Sequence, residues 1–134
     1  MARVLVVDDD RGVREVLGTM LALEGHEVIE AVDGVEAATL LEAGCAPDLI
    51  LLDVMMPTMG GTGFRAWQLG SEHARVPVLV VTATPADSEE LDALEGCELL
   101  PKPFGFSKLI GEVRRCLGGL ARAPSVGGTL DDAE

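Results

Sequence analysis

Polar residues that could share chemistry stand where this chain's apolar runs stop. Asp8 and Asp9 close Val4, Leu5, Val6, Val7; Asp53 closes Leu49, Ile50, Leu51, Leu52; Thr82 closes Val78 to Val81; Lys102 follows Leu99, Leu100. Strands of an open parallel sheet deliver such residues to one shared edge. If Asp8, Asp9 and Asp53 converge, two carboxylates about 5 Å apart repel by roughly 3 kcal/mol at an effective dielectric of 20, and the cluster recruits a cation. Mg2+ suits it, because that ion takes few carboxylates, keeps waters and leaves a position for a phosphoryl oxygen. Lys102 would add a second positive centre and Thr82 a hydroxyl donor. With two other acids on the ion, Asp53 is the natural nucleophile, since an aspartate can form an acyl phosphate.

Taken singly, most of these residues have plainer readings. Three successive Asp after a strand make a turn and a helix cap, Thr82 is an ordinary β-branched strand end, and Lys102 alone is a solvated lysine. Asp53 is different: a carboxylate that ends a wholly apolar central strand costs several kcal/mol unless it is paired or metal-bound. His26 and His73 are assigned no role, Trp67 is read as packing, and the acidic run from Asp87 as a solvated helix face.

The elements that must position these groups alternate. A strand at 3–7 precedes a helix from Arg11 to Leu23, with Val13, Val16, Leu17, Met20 and Leu21 at helical spacing and Gly25 as the stop. Glu27–Ala31 reads as a second strand, and Asp33 with Glu36 as a capping box for a helix through Leu41. The third strand, 49–52, is apolar without alternation, as a strand covered on both faces must be. Phe64, Trp67 and Gln68 lie on a helix ended near Gly70; then come a strand at 78–81, a helix over 87–95 and a brief strand at 98–100. The last helix shows Phe106, Leu109, Ile110, Val113 and Leu117 to the core, with Arg114 and Arg115 suited to its negative end. The expectation is an α/β domain over 1–118, five parallel strands with five helices on both faces, and a disordered tail over 119–134 too short to be an output domain.

The 134 residues suffice for one domain that buries roughly 68% of its unfolded surface. A net charge of −13 argues against direct nucleic-acid binding and against anionic membranes. Cys45, Cys97 and Cys116 are odd in number and lack CxxC spacing, which points to reduced packing thiols. The opening residues are too few for a signal-peptide core or a membrane span. A soluble, cytoplasmic protein is expected.

The stretches VLVVDDD at 4–10, PDLILLDVMMPTMGG at 47–61, VPVLVVTA at 76–83 and LPKPF at 100–104 together resemble the receiver domains of two-component response regulators. The resemblance covers residues 3 to 117. It implies the flavodoxin-like strand order 2-1-3-4-5, Asp53 as phosphoacceptor, and Asp8 and Asp9 as the acid pair for Mg2+ with the backbone carbonyl of Met55. It further implies Thr82 and Lys102 as phosphoryl-binding switch residues, a cis peptide before Pro103, and a turn at Pro57 and Gly61 behind the site. The expected partners are a histidine kinase or histidine phosphotransfer protein as donor and a downstream target protein, with the domain a monomer or a phosphorylation-dependent dimer.

Two departures stand out. Leu99 occupies the position, three before the lysine, where the family usually has an aromatic, and the span from Thr82 to Lys102 is slightly short, which suggests a trimmed fourth helix. The reading is a stand-alone receiver that takes a phosphoryl group from phosphohistidine and loses it slowly by self-catalysed hydrolysis, with no other enzymatic activity. Uncharged Met55 and Thr84 beside the expected water route favour the long lifetime. The alternative is a receiver-like interaction module with altered or lost switching. A haloacid-dehalogenase-like hydrolase needs an acid where Met55 stands, and a flavodoxin-like flavin carrier needs a phosphate cradle where Asp8, Asp9 and Asp10 stand.

Overall fold

A computed structural model describes residues 2–56, 58–83, 89–92, 94 and 96–121. The strands are β1 (Arg3–Val7), β2 (Glu27–Ala31), β3 (Leu49–Leu52), β4 (Val78–Thr82) and β5 (Glu98–Pro101). The helices are α1 (Arg11–Leu23), α2 (Gly34–Glu42), α3 (Gly61–Leu69), α4 (Glu89–Asp92) and α5 (Phe106–Ala121). All strand pairings are parallel, in the order β2-β1-β3-β4-β5, as expected for a flavodoxin-like sheet.

Because β1, β3 and β4 are covered on both faces, alternate residues enter two cores. Val4, Val6, Leu49, Leu51, Leu79 and Val81 pack with Leu17 and Leu21 of α1 and Leu109, Ile110 and Val113 of α5. Leu5, Val7, Ile50, Leu52 and Val80 pack with Ala37 and Leu41 of α2, Phe64 of α3, and Leu94. Burying each large aliphatic side chain contributes roughly 1.5–3 kcal/mol, and with 3% aromatics these runs carry the core.

Local chemistry sets the helix ends. The Asp10 carboxylate accepts from the Gly12 and Val13 amides at the start of α1. At α2, Asp33 accepts from the Glu36 amide at 2.8 Å, while Glu36 reaches back to the Val32 amide at 2.7 Å, one residue earlier than a standard capping box. Gly25 adopts φ +87° just after α1, a conformation that turns the chain toward β2 without the Cβ clash other residues incur.

Three expectations are adjusted. α5 runs to Ala121, three residues past the boundary placed at Gly118, because the chain keeps its helical path beyond Leu117. Arg114 and Arg115 therefore lie within the helix rather than at its end, where they pair instead with Glu24 and with Glu98 and Glu112. Of the helix expected over 87–95, Glu89–Asp92 is helical as α4 and Leu94 lies in a turn; Asp87 and Glu95, together with Pro57, Thr84 and the tail from residue 122, lie outside the described residues.

Candidate phosphoryl-transfer site

Strand register brings the expected residues together. Val7 pairs with both Ala31 of β2 and Leu52 of β3, and the ladder runs one step further: the Asp8 amide donates to the Ala31 carbonyl at 3.1 Å and the Asp53 amide to the Val7 carbonyl at 3.0 Å. Asp8 and Asp53 are thus neighbours on adjacent strands, whose spacing is about 4.8 Å. On the other side Thr82 pairs with Pro101, and the Lys102 amide donates to the Thr82 carbonyl at 3.0 Å. The Lys102–Pro103 peptide is cis, as expected.

One carboxylate oxygen each from Asp8, Asp9 and Asp53 lies within 4.8 Å of the others. Asp8 is 2% exposed and Asp53 8%, whereas Asp9 faces solvent. Lys102 Nζ is 3.1 Å from Asp8 Oδ2 and 4.0 Å from Asp53 Oδ1. The three aspartates after β1 divide their work: Asp8 Oδ1 accepts from the Asp10 amide at 2.9 Å, which folds the turn, and Asp10 caps α1. Asp10 spends its carboxylate on the helix, which leaves Asp8 and Asp9 to the cluster.

Burial pushes the Asp53 carboxyl above the ordinary aspartate range, and repulsion from Asp8 adds to it. The Lys102 charge, the Val54 amide and the Thr82 hydroxyl act in the opposite direction. The upward influence wins, so the charge on Asp53 is under-compensated by the protein's own groups. Three carboxylates against one ammonium, all hard oxygen donors, fit a small divalent cation such as Mg2+.

The floor of the site is tightly closed. A Cβ on Gly61 would come within 2.6 Å of the Asp53 carbonyl oxygen, and the Gly61 amide donates to the Val54 carbonyl at 2.7 Å. Only a glycine lets the start of α3 approach the main chain just beyond β3 this closely, so Gly61, expected in a turn, instead opens the helix behind the site. Met55, 62% exposed, follows in the loop beyond β3, and Leu99 of β5 is 37% exposed.

One positioning residue had no sequence signal beyond helical spacing. Arg14, on α1, donates Nη1 to the Asp8 carbonyl at 2.7 Å and Nε to Glu30 at 3.0 Å, fastening the Asp8 turn to β2. Its spacing from Asp8 and Glu30 has meaning only once α1 packs across both strands. His73, given no role from sequence, stacks on Trp67 and faces Glu42. The three cysteines are free and half-buried, and burial raises each thiol, Cys116 to about 11, in keeping with packing rather than reactivity.

The family model for the response regulator receiver domain matches residues 4–114. Over 117 residues the chain is 44% identical to the response regulator MprA of a Mycobacterium species, covering 86% of this chain and 50% of the relative, so it spans about half the length of the curated relatives it matches. The structure is similar to the signal receiver domain of a signal transduction histidine kinase from Syntrophus aciditrophicus, with TM-score 0.82, 30% identity, and coverage of 96% of this chain and 98% of that one. It is also similar to the response regulator TrrA from Thermotoga maritima, solved in complex with Mg2+ and BeF, with TM-score 0.77, 31% identity, and coverage of 87% and 100%.

Proposed function

Because the chain belongs to the response regulator receiver domain family, we propose that Asp53 accepts a phosphoryl group from a phosphohistidine on a histidine kinase or phosphotransfer protein. The observation that carries this reading is a buried carboxylate at the end of a central strand, gathered with Asp8, Asp9 and Lys102 from two distant segments. An Asp53 Oδ attacks phosphorus, the O–P bond forms, the donor's P–N bond breaks, and the imidazole nitrogen keeps the electron pair of that bond. Asp8, Asp9 and Asp53, with the Met55 backbone carbonyl, would hold Mg2+, which supplies positive charge against the phosphoryl oxygens.

Lys102 is already held at the cluster, so its ammonium charge is in place before the phosphoryl charge arrives. Thr82, hydrogen-bonded to Asp53, offers its hydroxyl to a phosphoryl oxygen once Asp53 carries the acyl phosphate. The new charge, near −2, then biases which form of the surface a target protein binds. Water reverses the modification by attacking phosphorus and restoring the carboxylate, slowly, and the domain has no other enzymatic activity. We assign the domain to the cytoplasm, monomeric or dimerising on phosphorylation. No described helix is long and apolar enough to cross a membrane.

Incubation with Mg2+ and a small acyl phosphate tests the reading by mass. One added phosphoryl group, absent in Asp53→Asn, supports it; no adduct, or an adduct that persists in Asp53→Asn, overturns it. The alternative, an interaction module with altered switching, draws on the aliphatic, partly exposed Leu99 on β5. It predicts that target binding is the same with and without the phosphoryl group.

A further inference from the structure

Glu42 ends α2, and Glu72 and His73 sit in the turn between α3 and β4, so all three lie at the amino edge of the sheet, opposite Asp53. One carboxylate oxygen from each glutamate and one imidazole nitrogen lie within 4.8 Å of one another. His73 Nε2 is shielded from solvent yet has no hydrogen-bond partner; Glu42 Oε2 is 3.6 Å away, beyond bonding distance. A buried imidazole nitrogen left unpaired costs roughly 1–3 kcal/mol.

The imidazole is also held in place. Its ring stacks on Trp67 with centroids 6.0 Å apart and planes 22° apart. The His73 amide donates to Ser71 Oγ, and its carbonyl accepts from Gln68 Nε2. The fixed ligand is thus the nitrogen, while the two movable ligands are exposed glutamates.

We propose that Glu42, Glu72 and His73 form a second metal site, one that takes a borderline divalent transition ion such as Zn2+. Tetrahedral ligation at about 2.0–2.1 Å brings ligand atoms roughly 3.3 Å apart, a closure that exposed glutamate side chains reach by rotation. A nitrogen and two carboxylates favour such an ion, whereas the all-oxygen cluster at Asp53 favours Mg2+. The bound ion would give His73 Nε2 its partner and clip the end of α2 to the loop that enters β4.

Trp67, the only tryptophan in the chain, reports on this site through its contact with His73. The experiment titrates the full chain with Co2+ under saturating Mg2+, follows quenching of Trp67, and displaces Co2+ with Zn2+. The expected result is saturable quenching reversed by one equivalent of Zn2+, weakened at least tenfold in His73→Gln and in Glu42→Gln/Glu72→Gln, and unchanged in Asp53→Asn. The double glutamine variant alters only exposed side chains, so it decides the matter if His73→Gln fails to fold. Equal affinity in the wild type and the double variant overturns the proposal. So does quenching that disappears in Asp53→Asn, or that is lost when the three cysteines are replaced by serine.

Discussion

At the amino edge of the sheet Gln68 is fully buried, and its amide is completely bonded: Nε2 donates to the His73 and Val76 carbonyls, and Oε1 accepts from Arg65. At the carboxyl edge Asp8 and Asp53 are almost as buried, yet with Asp9 they set three carboxylates against the single ammonium of Lys102. One edge of the sheet thus carries a helical side chain, Gln68 of α3, whose amide donors and acceptor are all engaged, and the other a cluster with charge left over. Satisfied buried groups specify a fold, while surplus buried charge stays unfavourable until something binds it. That contrast separates the residues that build this domain from those proposed to act in it.

The comparison breaks most completely at Asp53. Asp53→Asn should abolish phosphoryl uptake while raising the metal-free midpoint of thermal unfolding by a few degrees, because the substitution removes a desolvated charge that Asp8 repels. A thermal shift assay beside the acyl phosphate labelling measures both, and a lower midpoint would show that the carboxylate is instead a net stabiliser. Lys102→Ala should slow labelling about a hundredfold, the size expected for losing one charge stabiliser of the transferring group, as read from a labelling time course.

The opposite edge should respond in the opposite sense. Gln68→Leu strands two carbonyls and should cost about 3 kcal/mol in urea unfolding, with labelling of the folded protein retained.

Acidity sharpens the contrast further. Because the Asp53 carboxyl lies above the ordinary value of 3.8 when folded, the folded state binds its proton more readily than the unfolded one. The favourable contribution of its protonated form is complete below that value and is lost as pH rises through the folded pKa. The stability advantage of Asp53→Asn over the wild type should therefore be present at neutral pH and vanish on acidification to below 3.8. Saturating Mg2+ should shrink the advantage at neutral pH, because an ion that binds the folded wild type stabilises it by mass action. The smallest effect is expected at Asp10, where Asp10→Ala should cost about 1 kcal/mol through loss of the α1 cap and leave labelling intact.

The order of elements and the identity of Asp8, Asp9, Asp53, Thr82 and Lys102 were legible because each closes an apolar run, and run ends map onto one sheet edge. Gly61 was named only through the resemblance, as part of a turn, and the fold puts it at the start of α3. Arg14 and Gln68 were not, since their partners lie on other elements: Arg14 joins α1 to Glu30 of β2, and Gln68 joins α3 to the turn before β4. Helical spacing places each on a helix and says nothing of what it bonds. His73 was set aside for the same reason, as Glu42 is far from it in sequence and near it only in the fold.

The pattern of apolar runs, turns and caps by itself determined that this chain is a parallel α/β domain with acids and a lysine at strand ends, because burial and backbone geometry act residue by residue. Register was decided only by the tertiary structure. The extra ladder bonds from Asp8 to Ala31, Asp53 to Val7 and Lys102 to Thr82 turn scattered strand ends into one cluster, and the same packing leaves Asp10 out of it as a helix cap. Distance and desolvation, which decide whether a carboxylate is spectator or reagent, exist only between elements that have packed.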